Sequence, residues 1–101
     1  MIVVLFRSRL TPEARDDYGA MAQEMVETAQ QMPGFIDVKS YTADDGERLT
    51  IVRWQDEVTM KAWREHPRHR VAQSLGIDKW YSTYSLEVAE IVRESNFTRS
   101  S

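Results

Sequence analysis

The spacing of hydrophobic and polar positions predicts four strands in this chain. An apolar run over residues 2–8 predicts the first strand, and the segments 35–42, 48–55 and 82–93 predict three more. The turn signal Asp44-Asp45-Gly46 lies between the second and third of these, which should therefore form a hairpin. Strict alternation in the second strand would place one set of side chains on the same face: Phe35, Asp37, Lys39 and Tyr41.

A first helix is predicted between the first and second strands. Apolar residues recur at spacings of three, four and seven from Ala14 to Met32, which indicates one face of a helix of about twenty residues. Thr11 is a suitable N-cap, Pro12 suits the first helical position, and Pro33-Gly34 should end the helix.

A second helix is predicted to follow the third strand. Asp56 can cap it, and its apolar residues would be Val58, Ala62 and Trp63. Because proline cannot continue the hydrogen-bond ladder, Pro67 should break this helix. The residues after it, 68–74, would form only a short turn that ends at Gly76.

The order β-α-β-β-α-β predicts an α+β, ferredoxin-like sheet with both helices on one face. However, the first strand is apolar on both faces, with Val4 and Phe6 on one side and Val3 and Leu5 on the other. Because two helices cover only one face, we expect a second copy to cover the other, which predicts a homodimer. The folded domain should span residues 1–94, followed by a polar tail over residues 95–101.

Composition narrows the classes of function. The length of 101 residues suits one domain, and the absence of cysteine excludes disulfides and thiolate chemistry. The apolar start is too short for a signal peptide or a membrane span, so a cytoplasmic location without membrane association is expected by elimination. The net charge of −3 and the lack of a basic stripe argue against nucleic acid as a partner.

Several short motifs, taken together, resemble the antibiotic biosynthesis monooxygenase family of dimeric α/β barrels. The motifs that carry the resemblance are the opening strand Ile2–Arg7, Met32-Pro33-Gly34-Phe35, Arg53-Trp54-Gln55-Asp56, Ala62-Trp63, His66-Pro67-Arg68-His69 and Trp80-Tyr81. The resemblance implies a dimer with a small-molecule pocket in each subunit between sheet and helices. Members of the family include cofactor-free oxygenases of polycyclic phenols, haem-degrading proteins and enzymes that act on small quinones, so the resemblance implies an activity of one of these kinds.

The resemblance assigns roles to particular residues. Trp63 matches a helix tryptophan that lines the pocket in several members. The haem-degrading branch has an asparagine on the first strand and a haem-ligating histidine about ten residues after that tryptophan, where this chain has Arg7 and Gln73. These departures argue against haem degradation.

A cofactor-free oxygenase needs a dry aromatic slot, a base for the substrate and a cation for the developing anion. Trp63 could form the slot, with Tyr84 orienting an oxygen. Polar residues are candidates for the two chemical roles: His66 or His69 could act as the base, and Arg7 or Arg53 could supply the cation. The histidines also allow two other interpretations, as structural residues at a helix end or as two ligands of a metal site.

The predicted function is that of a monooxygenase-like enzyme, without bound metal or flavin, that acts on a small aromatic or quinone-type molecule. The alternative is a dimer that binds or senses a small molecule without catalysis. A haem-degrading protein is the third hypothesis.

Overall fold

The computed structural model describes residues 1–14 and 18–99, and it contains one four-stranded antiparallel sheet. The strands are β1 (Ile2–Leu10), β2 (Phe35–Thr42), β3 (Arg48–Trp54) and β4 (Tyr81–Glu90), in the order β2-β3-β1-β4. The helices are α1 (Tyr18–Gln30), α2 (Glu57–Arg64) and α3 (Pro67–Leu75), with a 3-10 turn at Pro12–Ala14 and a π-helical turn at Gly76–Trp80. The predicted α+β, ferredoxin-like topology is confirmed.

The core lies between one face of the sheet and the helices. Trp54 of β3 is 1% exposed and packs with Ala29 of α1 and with Met60 and Trp63 of α2. Ile2, Val4 and Val52 extend this cluster along the sheet. The opposite face of the sheet carries the alternate residues of the same strands: Val3, Leu5, Arg7, Leu49, Ile51 and Arg53.

The prediction for the faces of β2 was wrong at its first residue. The pairing of β2 with β3 shifts register between Phe35 and Asp37, so that Phe35 lies opposite Trp54. Their ring centroids are 5.6 Å apart, and Phe35 therefore joins the core instead of sharing a face with Asp37. The bulge leaves Ile36 exposed, because the extra residue interrupts the two-residue alternation.

Asp56 begins α2, as predicted. Its carboxylate accepts a hydrogen bond from the backbone N–H of Thr59 at 2.9 Å, and this bond lowers the pKa of Asp56. The predicted apolar face of this helix was wrong in part, since Val58 is 76% exposed. Met60 takes its place and points inward with Trp63, one turn away.

The segment after Pro67 is a complete helix and not the short turn that was predicted. Pro67 occupies the first position of α3, where its missing N–H costs nothing, and His66 caps the helix by accepting from the N–H of Arg68 at 3.1 Å. Gly76 has right-handed helical geometry, so the chain continues into the π-helical turn instead of ending there.

A two-pronged ion pair joins α3 to α1. The guanidinium of Arg68 donates to both carboxylate oxygens of Glu24, at 2.6 Å and 2.9 Å. The carboxylate raises the pKa of Arg68, and the guanidinium lowers the pKa of Glu24. Both side chains are partly open to solvent, so this contact is a surface link between the two helices.

The first helical region differs from the single helix of about twenty residues that was predicted. It comprises the 3-10 turn and the 13-residue helix α1, and the positions between them, 15–17, lie outside the described residues. The hydroxyl of Thr11 donates to the carbonyl of Lys79 at 2.6 Å. Thr11 therefore ties the end of β1 to the π-helical turn, where the sequence predicted a helix cap.

The chain beyond β4 forms no helix or strand over residues 91–99. Val92 and Phe97 in this segment are 94% and 81% exposed. The domain boundary at residue 94 stays a prediction. None of the helices in the described ranges is long and apolar enough to cross a membrane.

Candidate functional site

A cavity of about 520 Å³ lies between the sheet and the helices. Side chains from all four strands form its floor, and α1 forms much of its roof. The floor and roof include Val4, Phe6, Val38, Val52, Leu86 and Val88 from the sheet and Met21, Ala22, Met25 and Val26 from α1. Three of its lining residues on β4 are also partly open to solvent: Tyr84, Leu86 and Val88 are 52%, 53% and 46% exposed.

The cavity is elongated along the strands. Trp54 lies at one end of β3 and Arg48 at the other, and both line the cavity. Because a strand rises about 3.3 Å per residue, these two positions are roughly 20 Å apart. The two ends carry different polar groups.

His69 is one of the polar residues at the end of the cavity near Trp54. It lies in the first half of α3, and its ring stacks on Trp63 with centroids 4.6 Å apart and an interplanar angle of 16°. Its Nδ1 is buried and makes no hydrogen bond of good geometry with the described residues, although the backbone carbonyls of Arg64 and Trp63 lie near enough to the ring to favour its charged form. A buried nitrogen without a partner can accept a proton or a hydrogen bond from a ligand.

Burial lowers the pKa of His69 below its ordinary value of 6.5, because a charged imidazolium is poorly solvated there. The backbone carbonyls of Arg64 and Trp63 oppose this shift but are the smaller effect. The net shift therefore favours the neutral form of the His69 imidazole. Two further polar residues line the cavity near this end, Arg64 at the end of α2 and Gln73 one turn after His69.

The opposite end of the cavity is formed by three tyrosines and a tryptophan: Tyr18, Tyr81, Tyr84 and Trp80. The ring of Tyr81 lies within 6.0 Å of the ring centroids of Phe6, Tyr18 and Tyr84. Gly76 permits this packing, since a Cβ at that position would lie 2.5 Å from the Tyr81 ring. Burial, together with the neighbouring Tyr18, raises the pKa of Tyr81, which therefore stays a neutral phenol.

A sequence model described as antibiotic biosynthesis monooxygenase matches residues 1–75. The uncharacterized protein YqjZ of Bacillus subtilis is 34% identical over 94 residues, which cover 93% of this chain and 82% of that protein.

The chain belongs to the antibiotic biosynthesis monooxygenase family.

Two further proteins that this chain is similar to have names that refer to an activity. The jasmonate monooxygenase ABM of Pyricularia oryzae is 29% identical over 93 residues, and this chain spans only 43% of its length. The cofactor-independent oxygenase SnoaB of Streptomyces nogalater, solved as a mutant, superposes with a TM-score of 0.78 over 92% of this chain and 94% of that one. At 12% identity, the second likeness concerns the fold alone.

Six site residues were predicted from the sequence. Three of them line the cavity of this family member: Trp63, His69 and Tyr84. His66 lies beside Trp63, with ring centroids 5.5 Å apart, but its Nδ1 is engaged in capping α3. No group of three histidine or carboxylate side chains that could hold a metal occurs within residues 1–14 and 18–99.

Arg7 and Arg53 lie on the other face of the sheet. Their neighbours Phe6, Val52 and Trp54 line the cavity, so alternation directs the two arginines away from it. Arg53 instead lies 3.9 Å from the carboxylate of Asp37. A role for either arginine in binding or catalysis stays a prediction.

Sequence reasoning missed Arg48, Tyr18 and Gln73 as cavity residues. Arg48 is separated from Val52 and Trp54 by an even number of residues on β3, so alternation places all three on the same face of the sheet. This spacing was the signal that could have identified Arg48. Gln73 lies four residues after His69 on the same helix, a spacing that places two side chains on one face.

Proposed function

We propose that this protein is a cofactor-independent monooxygenase that oxidises a small, acidic, electron-rich aromatic molecule in the cavity described above. The observation that carries the proposal is the unpartnered Nδ1 of His69, placed in an apolar cavity of a chain that belongs to a monooxygenase family. The names of the two relatives that refer to monooxygenase or oxygenase activity agree with this reaction class.

The proposed chemistry begins with removal of a proton. Neutral His69 accepts a proton from a carbon or hydroxyl made acidic by an adjacent aromatic ring, leaving an electron-rich anion that reacts with oxygen. Arg64 stabilises the negative charge as it develops, and Gln73 supplies an amide that can orient the substrate. For an activated CH₂ group, the products are a C=O group and one water molecule, so that one oxygen molecule is consumed.

Anthrone is a suitable probe of this proposal, because its CH₂ group is acidic and its product is anthraquinone. We expect the purified protein to accelerate oxygen uptake well above autoxidation, with one oxygen molecule consumed per anthraquinone. With ¹⁸O₂, the new carbonyl should carry one labelled atom.

If anthrone and a set of related phenols and quinols bind to the protein but oxygen uptake stays at the rate without protein, the enzyme proposal fails. The non-catalytic binding or sensing protein would then be the better description of the same cavity.

We also propose that the protein acts as a homodimer. The sheet face opposite the helices carries Val3, Leu5, Leu49 and Ile51, which a second copy would cover. We expect sedimentation at micromolar concentration to give twice the mass of the 11.8 kDa chain. A particle with the mass of a single chain under these conditions would contradict the dimer.

A further inference from the structure

The end of the cavity farthest from His69 holds an arginine without an acidic partner. Arg48 lines the cavity, and none of the ion pairs among the described residues involves it. Its guanidinium carbon lies 5.3 Å from the centroid of the Tyr18 ring, a cation–π contact that fixes its position without neutralising its charge.

The charges around the cavity are of one sign. Within the described residues, Arg48 and Arg64 line it, and no aspartate or glutamate does. Because an apolar enclosure strengthens electrostatic interactions, this unbalanced positive charge favours a ligand with negative charge.

Trp80 provides a second and independent indication of a ligand at this end. Its side chain is 2% exposed and lines the cavity, packed edge to face on Tyr18 with ring centroids 5.5 Å apart. The indole Nε1 is buried and has no hydrogen-bond partner in the part of the chain that the structure describes. A buried donor without an acceptor is costly, and an acceptor on a ligand would satisfy it.

We propose that Arg48, together with Trp80 Nε1 and the hydroxyl groups of Tyr18 and Tyr81, binds the carboxylate of an otherwise apolar ligand. A single planar guanidinium matches a carboxylate through two parallel hydrogen bonds. A phosphate would call for a second cation or a glycine-rich backbone loop, and the described residues that line the Arg48 end of the cavity include neither.

This inference rests on the proposed function and narrows its substrate class. The carboxylate is held at the Arg48 end, and the group to be oxidised lies toward His69 at the other end. The substrate is thus an elongated apolar acid whose carboxylate is remote from the reacting carbon, and the carboxylate takes no part in the oxidation.

The test compares two ligands with the same aromatic body, 1-naphthaleneacetate and its neutral analogue 1-naphthaleneacetamide, by isothermal titration calorimetry. We expect the wild-type protein to bind the carboxylate roughly 10-fold or more tightly than the amide, because hydrogen bonds between charged groups are the stronger ones. Arg48→Met should remove this preference by weakening the carboxylate alone, and Arg48→Lys should retain part of it.

Arg70→Met is the matched control, since Arg70 is an exposed arginine of α3 that does not line this cavity. It should keep the full preference, and unchanged binding of the amide shows that the Arg48 variants remain folded. Equal binding of the two ligands by the wild type, no binding of the carboxylate, or a preference that persists in Arg48→Met would each overturn the proposal.

The measurement needs no turnover, so it separates this inference from the proposed function. A carboxylate preference that depends on Arg48, found in a protein without oxygen uptake, would support the carboxylate site and reject the enzyme. Oxygen uptake with no preference for the carboxylate would support the enzyme and reject the carboxylate site.

Discussion

Replacing His69 with glutamine is expected to lower the oxidation rate by about 10² to 10⁴-fold. Glutamine keeps a polar side chain of similar reach but cannot accept a proton at the buried position of Nδ1. Ligand affinity should change little, because most of the cavity wall is apolar and remains in place. Oxygen uptake with anthrone measures the rate, and calorimetry measures the affinity.

His66→Asn is the matched control for this experiment. Asparagine is also a good helix cap, so this variant should keep α3 intact and retain the rate within a few-fold. An equal loss of rate in both variants, or no loss in His69→Gln, would remove His69 from the role of base.

The pH profile gives the same assignment an independent readout. A histidine acts as a base only when unprotonated, so the rate should fall as the pH drops through the pKa of His69. Because burial lowers that pKa, the fall should occur below pH 6.5. This acid limb should be missing from the residual activity of His69→Gln.

Replacing Trp54 with alanine is expected to lower the free energy of unfolding by about 3–5 kcal/mol. Trp54 is 1% exposed and lies between the Phe35 ring, 5.6 Å away, and the Trp63 ring, 6.4 Å away. Alanine would leave a void among groups that come from β2, β3 and α2 and cannot all move inward. Urea unfolding followed by circular dichroism measures the change.

Val58→Ala is the control for this substitution, because Val58 is 76% exposed on α2. Its effect should stay within about 0.5 kcal/mol. Where Trp54→Ala fails to fold, Trp54→Phe offers a smaller loss that remains measurable. A loss below about 1 kcal/mol for Trp54→Ala would show that the site collapses around the smaller side chain.

The order of the strands and the start of α2 could be predicted from the sequence, because they depend on local signals. An apolar run indicated β1, alternating residues indicated the other strands, and the residue type of Asp56 indicated the start of α2. The bulge at Ile36 could not be predicted this way, since one extra residue reverses the alternation without a distinct sequence signal. α3 was underestimated because Pro67 breaks one helix and begins the next.

The candidate site was harder to predict than the fold. Sequence alternation groups Arg7 with Leu5 and Arg53 with Ile51, but both faces of these strands are apolar. It therefore does not indicate which of the two faces the helices will cover. That choice decides whether a given arginine reaches the cavity, and only the packing of α1 and α2 on Trp54 and Val52 settles it.

The link between Arg68 and Glu24 has a consequence for how selective the cavity can be. These residues join α1 and α3, two helices that line the cavity, through an ion pair open to solvent. Such pairs contribute only about 0–1 kcal/mol and weaken as salt increases. This ion pair alone therefore costs little to break, so the roof of the cavity is held mainly by the apolar packing of α1 on the core, and discrimination between ligands rests with the polar groups at the two ends of the cavity.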